Sequence, residues 1–272
     1  MPGLMKQARG GLLLGSAGLA LAFIVVPLLA IVIRVGESRA WLAAPAAAIP
    51  QAIALSLGTT LISLFITVLF GTPLAYVLAR RHFRFKRVIN ALVELPIVLP
   101  PAVAGLALLI TYGRRGVIGG SLNELGITIA FTTAAVVMAQ TFVSAPLYIR
   151  AAQLGFMGIP KEIEDAARVD GADGFALFRR ITLPLARRAL AAGLVLSWAR
   201  ALGEFGATIL FAGSLQGRTQ TMPLLIYNVI ERDIDAALWT GLILIGLALV
   251  ALVASQWLAP RERDDALSYG ML

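Results

Sequence analysis

The sequence predicts an all-α membrane protein with six transmembrane helices. Of its 272 residues 59% are hydrophobic and only 14% charged, where soluble domains average about 45–50% and about 25%. Its apolar runs reach 18 residues or more, the length at which a helix crosses a hydrocarbon core of about 30 Å. No stretch alternates apolar and polar residues as a membrane-spanning strand does.

The first span, 11–34, follows Lys6 and Arg9. A signal peptide would have a shorter apolar stretch and a small-residue cleavage site, so this run reads as a retained helix. The second, 52–79, contains Pro73. The third, 91–111, holds "ELPIVLPPAVAG", with Pro96, Pro100 and Pro101. Proline removes a backbone donor and kinks a helix, and in lipid the freed carbonyls need partners. This span therefore either lines a pathway or is a kinked packing helix. The fourth span is 127–150, the fifth 186–212 and the sixth 236–258. The whole of 1–272 reads as one transmembrane domain, with connections at 35–51, 80–90, 112–126, 151–185 and 213–235.

The net charge is +8. In a membrane chain this marks the cytoplasmic side rather than a nucleic-acid partner. With the N-terminus inside, segments 1–10, 80–90, 150–188 and 260–272 carry sixteen Lys and Arg against six on the other side. Both termini are expected to be cytoplasmic. The densest run, "RRHFRFKR" (80–87), either fixes orientation or binds anionic lipid or a partner. Cysteine is absent and His82 is the only histidine. Disulfides, thiolate chemistry and a metal centre are excluded on that basis.

Residues 151–185 break the apolar pattern. Pro160 suits a first helical turn, and Glu162, Glu164 and Asp165 favour a helix start. Ile163, Ala166, Ala167 and Asp170 fall near one face, and Gly171 is a natural stop. The spacing predicts a surface helix of two to three turns. A second short helix is expected over "GFALFRRITLPLARR", with Pro184 letting the chain turn into the fifth span.

This stretch carries a resemblance. Asp165-Ala166-Ala167, Gly171, Ile181 and Leu183-Pro184 are spaced as in the EAA loop of ABC importer membrane subunits. The family pattern has Glu first; here Asp165 stands there, with Glu164 before it. The resemblance implies the type I permease fold and a coupling helix seated in a groove of a cytoplasmic ATPase. The chain has only three lysines, Lys6, Lys86 and Lys161, and none ends a Gly-x4-Gly-Lys-Ser/Thr loop. A phosphate-cradling loop is thus missing. No cofactor belongs to this chain itself; ATP and Mg would be bound by the partner.

"ARALGEFGATILFAG" with "GRTQTMPLLIY", and "ELPIVLPPAVAGLALL", are similar to molybdate and tungstate permease subunits, and sulfate and thiosulfate permeases share much of this phrasing. The resemblance implies an oxyanion importer with a second copy of itself, two ABC ATPase subunits, an extracytoplasmic oxyanion-binding protein and membrane lipid as partners, and no enzymatic activity of its own.

Arg200 and Glu204, four apart, either pair structurally or face the pathway. Gly203, Gly206 and Gly213 permit close helix contact. Pathway candidates are Glu94, Pro100, Pro101, Ser197, Arg200, Glu204 and Thr208, with Ser56, Thr59 and Thr60 as further hydroxyl donors for a dianion. Arg218, Thr219 and Gln220 are candidates for contact with the binding protein. The rival readings are the same architecture carrying sulfate or another solute, a proton-coupled carrier relaying through Glu94 and Glu204, and a non-transporting scaffold, against which the EAA match stands.

Overall fold

The computed structural model describes residues 2–258 apart from 43, 44 and 46, and every described element is helical. The tail carrying Arg261 and Arg263, read as cytoplasmic, lies outside the described residues. In chain order the helices are α1 (Pro2–Ser38), α2 (Ala48–Arg80), α3 (Lys86–Val98), α4 (Pro101–Tyr112), α5 (Gly119–Glu124), α6 (Thr133–Met157), α7 (Lys161–Val169), α8 (Gly174–Leu177), α9 (Leu183–Leu202), α10 (Gly206–Ala212), α11 (Met222–Ile230) and α12 (Ile234–Leu258).

Among the described residues three helices are apolar and long enough to cross a membrane unaided: α1 over Leu13–Ser38, α2 and α6. Two of the expected spans are broken instead. The third is not one helix over 91–111: α3 and α4 meet at 113°. Leu99 and Pro100 are extended at the break, and Pro101 opens α4. Proline lacks the N–H that would continue the ladder, and the residue before a proline is driven from helical geometry. The fifth divides into α9 and α10 at 56°, although no proline is present there. Residues 203–205 separate the two pieces. Counting each bent pair as one gives up to five spans by length and composition.

The other differences lie at element ends. Residues 127–132 precede α6, and the helix instead runs on to Met157. The connection 213–235 contains α11, which apolar-run counting missed because nine residues cannot span. Pro184 does not turn the chain. A π-helical turn, Phe178–Thr182, runs directly into α9, with Pro184 in its first turn, where a missing N–H costs nothing.

α2, α6 and α9 form the centre. Thr141 Oγ1 donates to Ser63 Oγ at 3.0 Å, and Thr72 and Tyr148 hydroxyls meet at 2.7 Å, so α2 and α6 run parallel. α9 runs antiparallel to α6: a Cβ on Gly193 would stand 2.6 Å from Ala151 Cβ, while Ser197 Oγ donates to the Ser144 carbonyl at 3.0 Å. Trp198 Nε1 donates to Thr60 Oγ1 at 3.1 Å. Lipid is as apolar as leucine, so close small-residue contact and such interhelical bonds hold the bundle, each bond contributing about 0.5–2 kcal/mol. α1 touches α12, and over residues 13–33 most of its apolar side chains face outward, with Val35 buried nearer its end.

Candidate functional site

The polar loop folds onto the end of α2. Tyr76, Phe156 and Phe178 make an aromatic cluster with centroids 5.1–6.2 Å apart, which seats the π-helical turn on α2 and α6. Leu177 is buried beside it. α7 then lies along this end, closed by Gly171 at φ +87°, a conformation glycine adopts without a Cβ clash. Its inward residue is Glu164, whose carboxylate lies 2.7 Å from Arg80 Nη2. Thr182 Oγ1 donates to the same oxygen at 3.2 Å, and Arg80 also donates to the Ile159 carbonyl at 3.2 Å. The pair is almost wholly enclosed, with side chains 12% and 4% exposed.

The apolar residues of α7 face outward instead. Ile163 and Ala166 are exposed, as is Val169, and Asp165 pairs with Arg168 at 2.6 Å on the surface. The face that turns inward is thus not the one shared by Ile163 and Ala166 but the one carrying a buried acid, Glu164. Of the remaining motif residues, Ala167 is half-buried, Ile181 lies within the π-helical turn, and Leu183 with Pro184 begins α9.

The two helix breaks meet each other. A Cβ on Gly206 would lie 2.7 Å from Pro101 Cβ, and one on Gly105 would lie 2.7 Å from the Ala207 carbonyl oxygen. Arg200 Nη1 lies 2.6 Å from Glu204 Oε2, as the spacing allowed, but Glu204 has already left α9. Its Oε1 accepts from the Ala207 N–H at 2.7 Å and so caps α10. Glu204 is buried while Arg200 is one-third exposed.

Most of the candidate hydroxyls are engaged elsewhere. Ser56 Oγ accepts from the Met222 N–H at 2.8 Å, which joins α2 to the start of α11. Thr59 and Thr60 donate back to carbonyls of their own helix. Thr208 is buried, without a partner among the described residues. Pro100 forms the α3–α4 break and is exposed. Glu94 lies 3.3 Å from Arg150, which the charge count takes with the inner segment 150–188 and which lies inside α6.

At the α11 end, a polar cleft of about 570 Å³ is lined by Ser214, Gln216, Gln220, Tyr227, Asn228 and Arg232, among others. Thr219 and Gln220 are buried: Thr219 Oγ1 accepts from the Leu215 N–H at 2.9 Å, and Gln220 Nε2 donates to Ser214 Oγ at 3.3 Å. They shape this loop from within, and of the three candidates only Arg218 is exposed. An apolar cavity of about 410 Å³ opens between α2, α4 and α6. Among the described residues no group of three His, Asp or Glu side chains could hold a metal ion.

Sequence reasoning missed Arg80, Thr182, Trp198 and Arg150. Only Arg150 had a visible signal, the polar spacing of Asn90 with Glu94 and of Arg150 with Gln153.

Residues 71–264 match the family described as "Binding-protein-dependent transport system inner membrane component". The chain is 43% identical over 233 residues to the "Molybdenum transport system permease protein ModB" of Mycobacterium tuberculosis, covering 86% of this chain and 88% of that one. It is 40% identical to the protein of the same name from Escherichia coli K12, covering 79% and 96%. Among solved structures, the inward-facing MetNI methionine ABC transporter aligns with a TM-score of 0.63 at 20% identity, over 78% of this chain and 94% of that one. At that identity the likeness speaks for the fold.

Proposed function

The chain belongs to the binding-protein-dependent inner membrane component family, the permeases of ABC transporters, and from that premise we propose that it is the membrane-spanning subunit of an ATP-driven importer for molybdate- or tungstate-type oxyanions. One observation carries the coupling: α7 is clamped from within by Glu164 and Arg80 while its apolar side chains stay exposed. A short rod fixed to α2 and bare outward is suited to receive force from another protein. The substrate class rests on the molybdenum permeases it resembles.

In this reading two copies line the route between them, with the six spans supplied by α1, α2, α3–α4, α6, α9–α10 and α12. Both termini and α7 are cytoplasmic. Two ATPase subunits, which hold ATP and Mg, grip the two α7 helices, and the Asp165-Ala166-Ala167 run and Gly171 set that helix's register. Closure on ATP moves α2 and α9 through Arg80 and Thr182. The facing breaks at Pro101 and Gly206 let the inner ends of the bent pairs shift, a two-state change biased by nucleotide. The binding protein docks at the α11 end beside Arg218. Arg200, partly offset by Glu204, meets the dianion; a full positive charge would hold it too tightly for passage.

The test is reconstitution with the ATPase and binding protein into liposomes. ATP-dependent molybdate accumulation that excess sulfate does not suppress is expected. Suppression by sulfate would reassign the solute. Accumulation driven by a proton gradient without the ATPase would overturn the reading in favour of a carrier relaying through Glu94 and Glu204.

A further inference from the structure

Among the described residues, the two charge pairs that link one helix to another differ in a way that assigns them different work. Arg80 and Glu164 are 2.7 Å apart and nearly enclosed. Arg150 and Glu94 are 3.3 Å apart, with side chains 47% and 42% exposed. Arg150 Nη1 also reaches Gln153 Oε1 at 3.4 Å, and Gln153 Nε2 donates to Asn90 Oδ1 at 3.3 Å. Gln153 is itself 3% exposed, so a buried amide braces the open arginine. The third guanidinium nitrogen, Nη2, has no partner among the described residues. A guanidinium presents five N–H donors in a planar fork suited to oxyanions, and here the fork is only partly engaged.

Arg150 lies seven residues before Met157, the last residue of α6, which places it about 10 Å inward of that helix end. α6 is long and apolar enough to span a membrane, and a half-exposed ion pair on such a helix is costly against hydrocarbon and belongs beside water or a pathway. Glu94 stands shortly before the α3–α4 break, so the pair also sits where the third span bends.

We propose that Arg150, held by Glu94 and by Gln153, which Asn90 anchors, is a second transient oxyanion station on the α7 side of the route; this rests on the importer reading above. A tetrahedral dianion leaving Arg200 takes the free donors of Arg150 in competition with Glu94. The carboxylate keeps the station weak enough to release its guest. The same chemistry would recognise the phosphate of an anionic lipid, and the test separates the two.

The chain has no cysteine, so Glu94→Cys supplies a unique thiol. In the full complex, a membrane-impermeant anionic thiosulfonate labels it, read on this chain by mass. At constant ionic strength, sodium molybdate at ten times its dissociation constant slows labelling about tenfold, as competition for one site requires. In Glu94→Cys/Arg150→Gln labelling persists and molybdate no longer slows it. Absence of labelling, indifference to molybdate, or slowing by anionic phospholipid alone each overturns the proposal.

Should the cysteine variant not assemble, inhibition of uptake by molybdate on the inner side decides. Glu94→Gln is inhibited at lower concentration than wild type and Arg150→Gln at higher, whereas a purely structural pair would move both the same way. If the wild-type complex takes up no molybdate with ATP, the importer reading fails; if it does and these shifts are absent, only the station fails.

Discussion

Glu164 and Arg80 meet at 2.7 Å across 84 residues of sequence, so the polar loop is bolted to the end of α2 by one buried ion pair. Removing one partner of such a pair strands the other charge and costs about 3–5 kcal/mol. Arg80→Gln and Glu164→Gln are each expected to abolish ATP-driven uptake and the stimulation of the partner ATPase. The spans should still insert, because the residues that hold α2, α6 and α9 together are untouched. ATP hydrolysis and uptake measured on the same vesicles check this; normal stimulation in either variant would detach α7 from α2 as a lever.

The second prediction concerns glycine at the crossing of the two breaks. A methyl on Gly105 would meet Ala207 backbone at 2.7–2.8 Å, where nothing flexible can yield, while a Cβ on Gly241 meets nothing within 4 Å. Gly105→Ala should lose about 1–3 kcal/mol to overpacking. Gly241→Ala, inside α12, should instead gain about 0.5–1 kcal/mol from helix propensity. Thermal unfolding of the two purified variants should therefore shift in opposite directions.

A third follows from Ser56. It is fully buried, and its hydroxyl accepts from the Met222 N–H at the first turn of α11. Ser56→Ala leaves that donor stranded, at about 1–3 kcal/mol, and should loosen α11. Amide exchange over residues 222–230 should rise while α6, which Ser56 does not hold, stays protected. Equal protection of α11 in both proteins would remove Ser56 from this role.

The composition and the apolar runs made the helical membrane class legible, and the Asp165 to Pro184 spacing made the family legible. What stayed hidden was relational. Arg80 reads as one more orientation charge because nothing local names a partner 84 residues away. Pro100 and Pro101 announced a kink but not a 113° break, because proline fixes one dihedral and leaves the fold direction to packing. The hydroxyls of Ser197 and Thr60 were readable as pathway donors, since sequence does not show that Ser144 and Trp198 stand opposite them. α11 was invisible to any rule that looks for spans.

The last prediction separates two neighbours that sequence treats alike. Arg218 is exposed at the α11 end, while Thr219 is fully buried one residue on, its hydroxyl accepting the Leu215 N–H. If the binding protein docks there, Arg218→Glu places a like charge against whatever acid it meets, and such substitutions act chiefly on association rate and salt dependence. Uptake at limiting binding protein should fall several-fold and recover when the binding protein is raised, with the melting temperature unchanged. Thr219→Val keeps the shape but removes the acceptor, stranding the Leu215 N–H at about 1–3 kcal/mol. It should lower the melting temperature, and added binding protein should not restore it. A loss in Arg218→Glu that more binding protein cannot relieve would move the docking surface away from this loop.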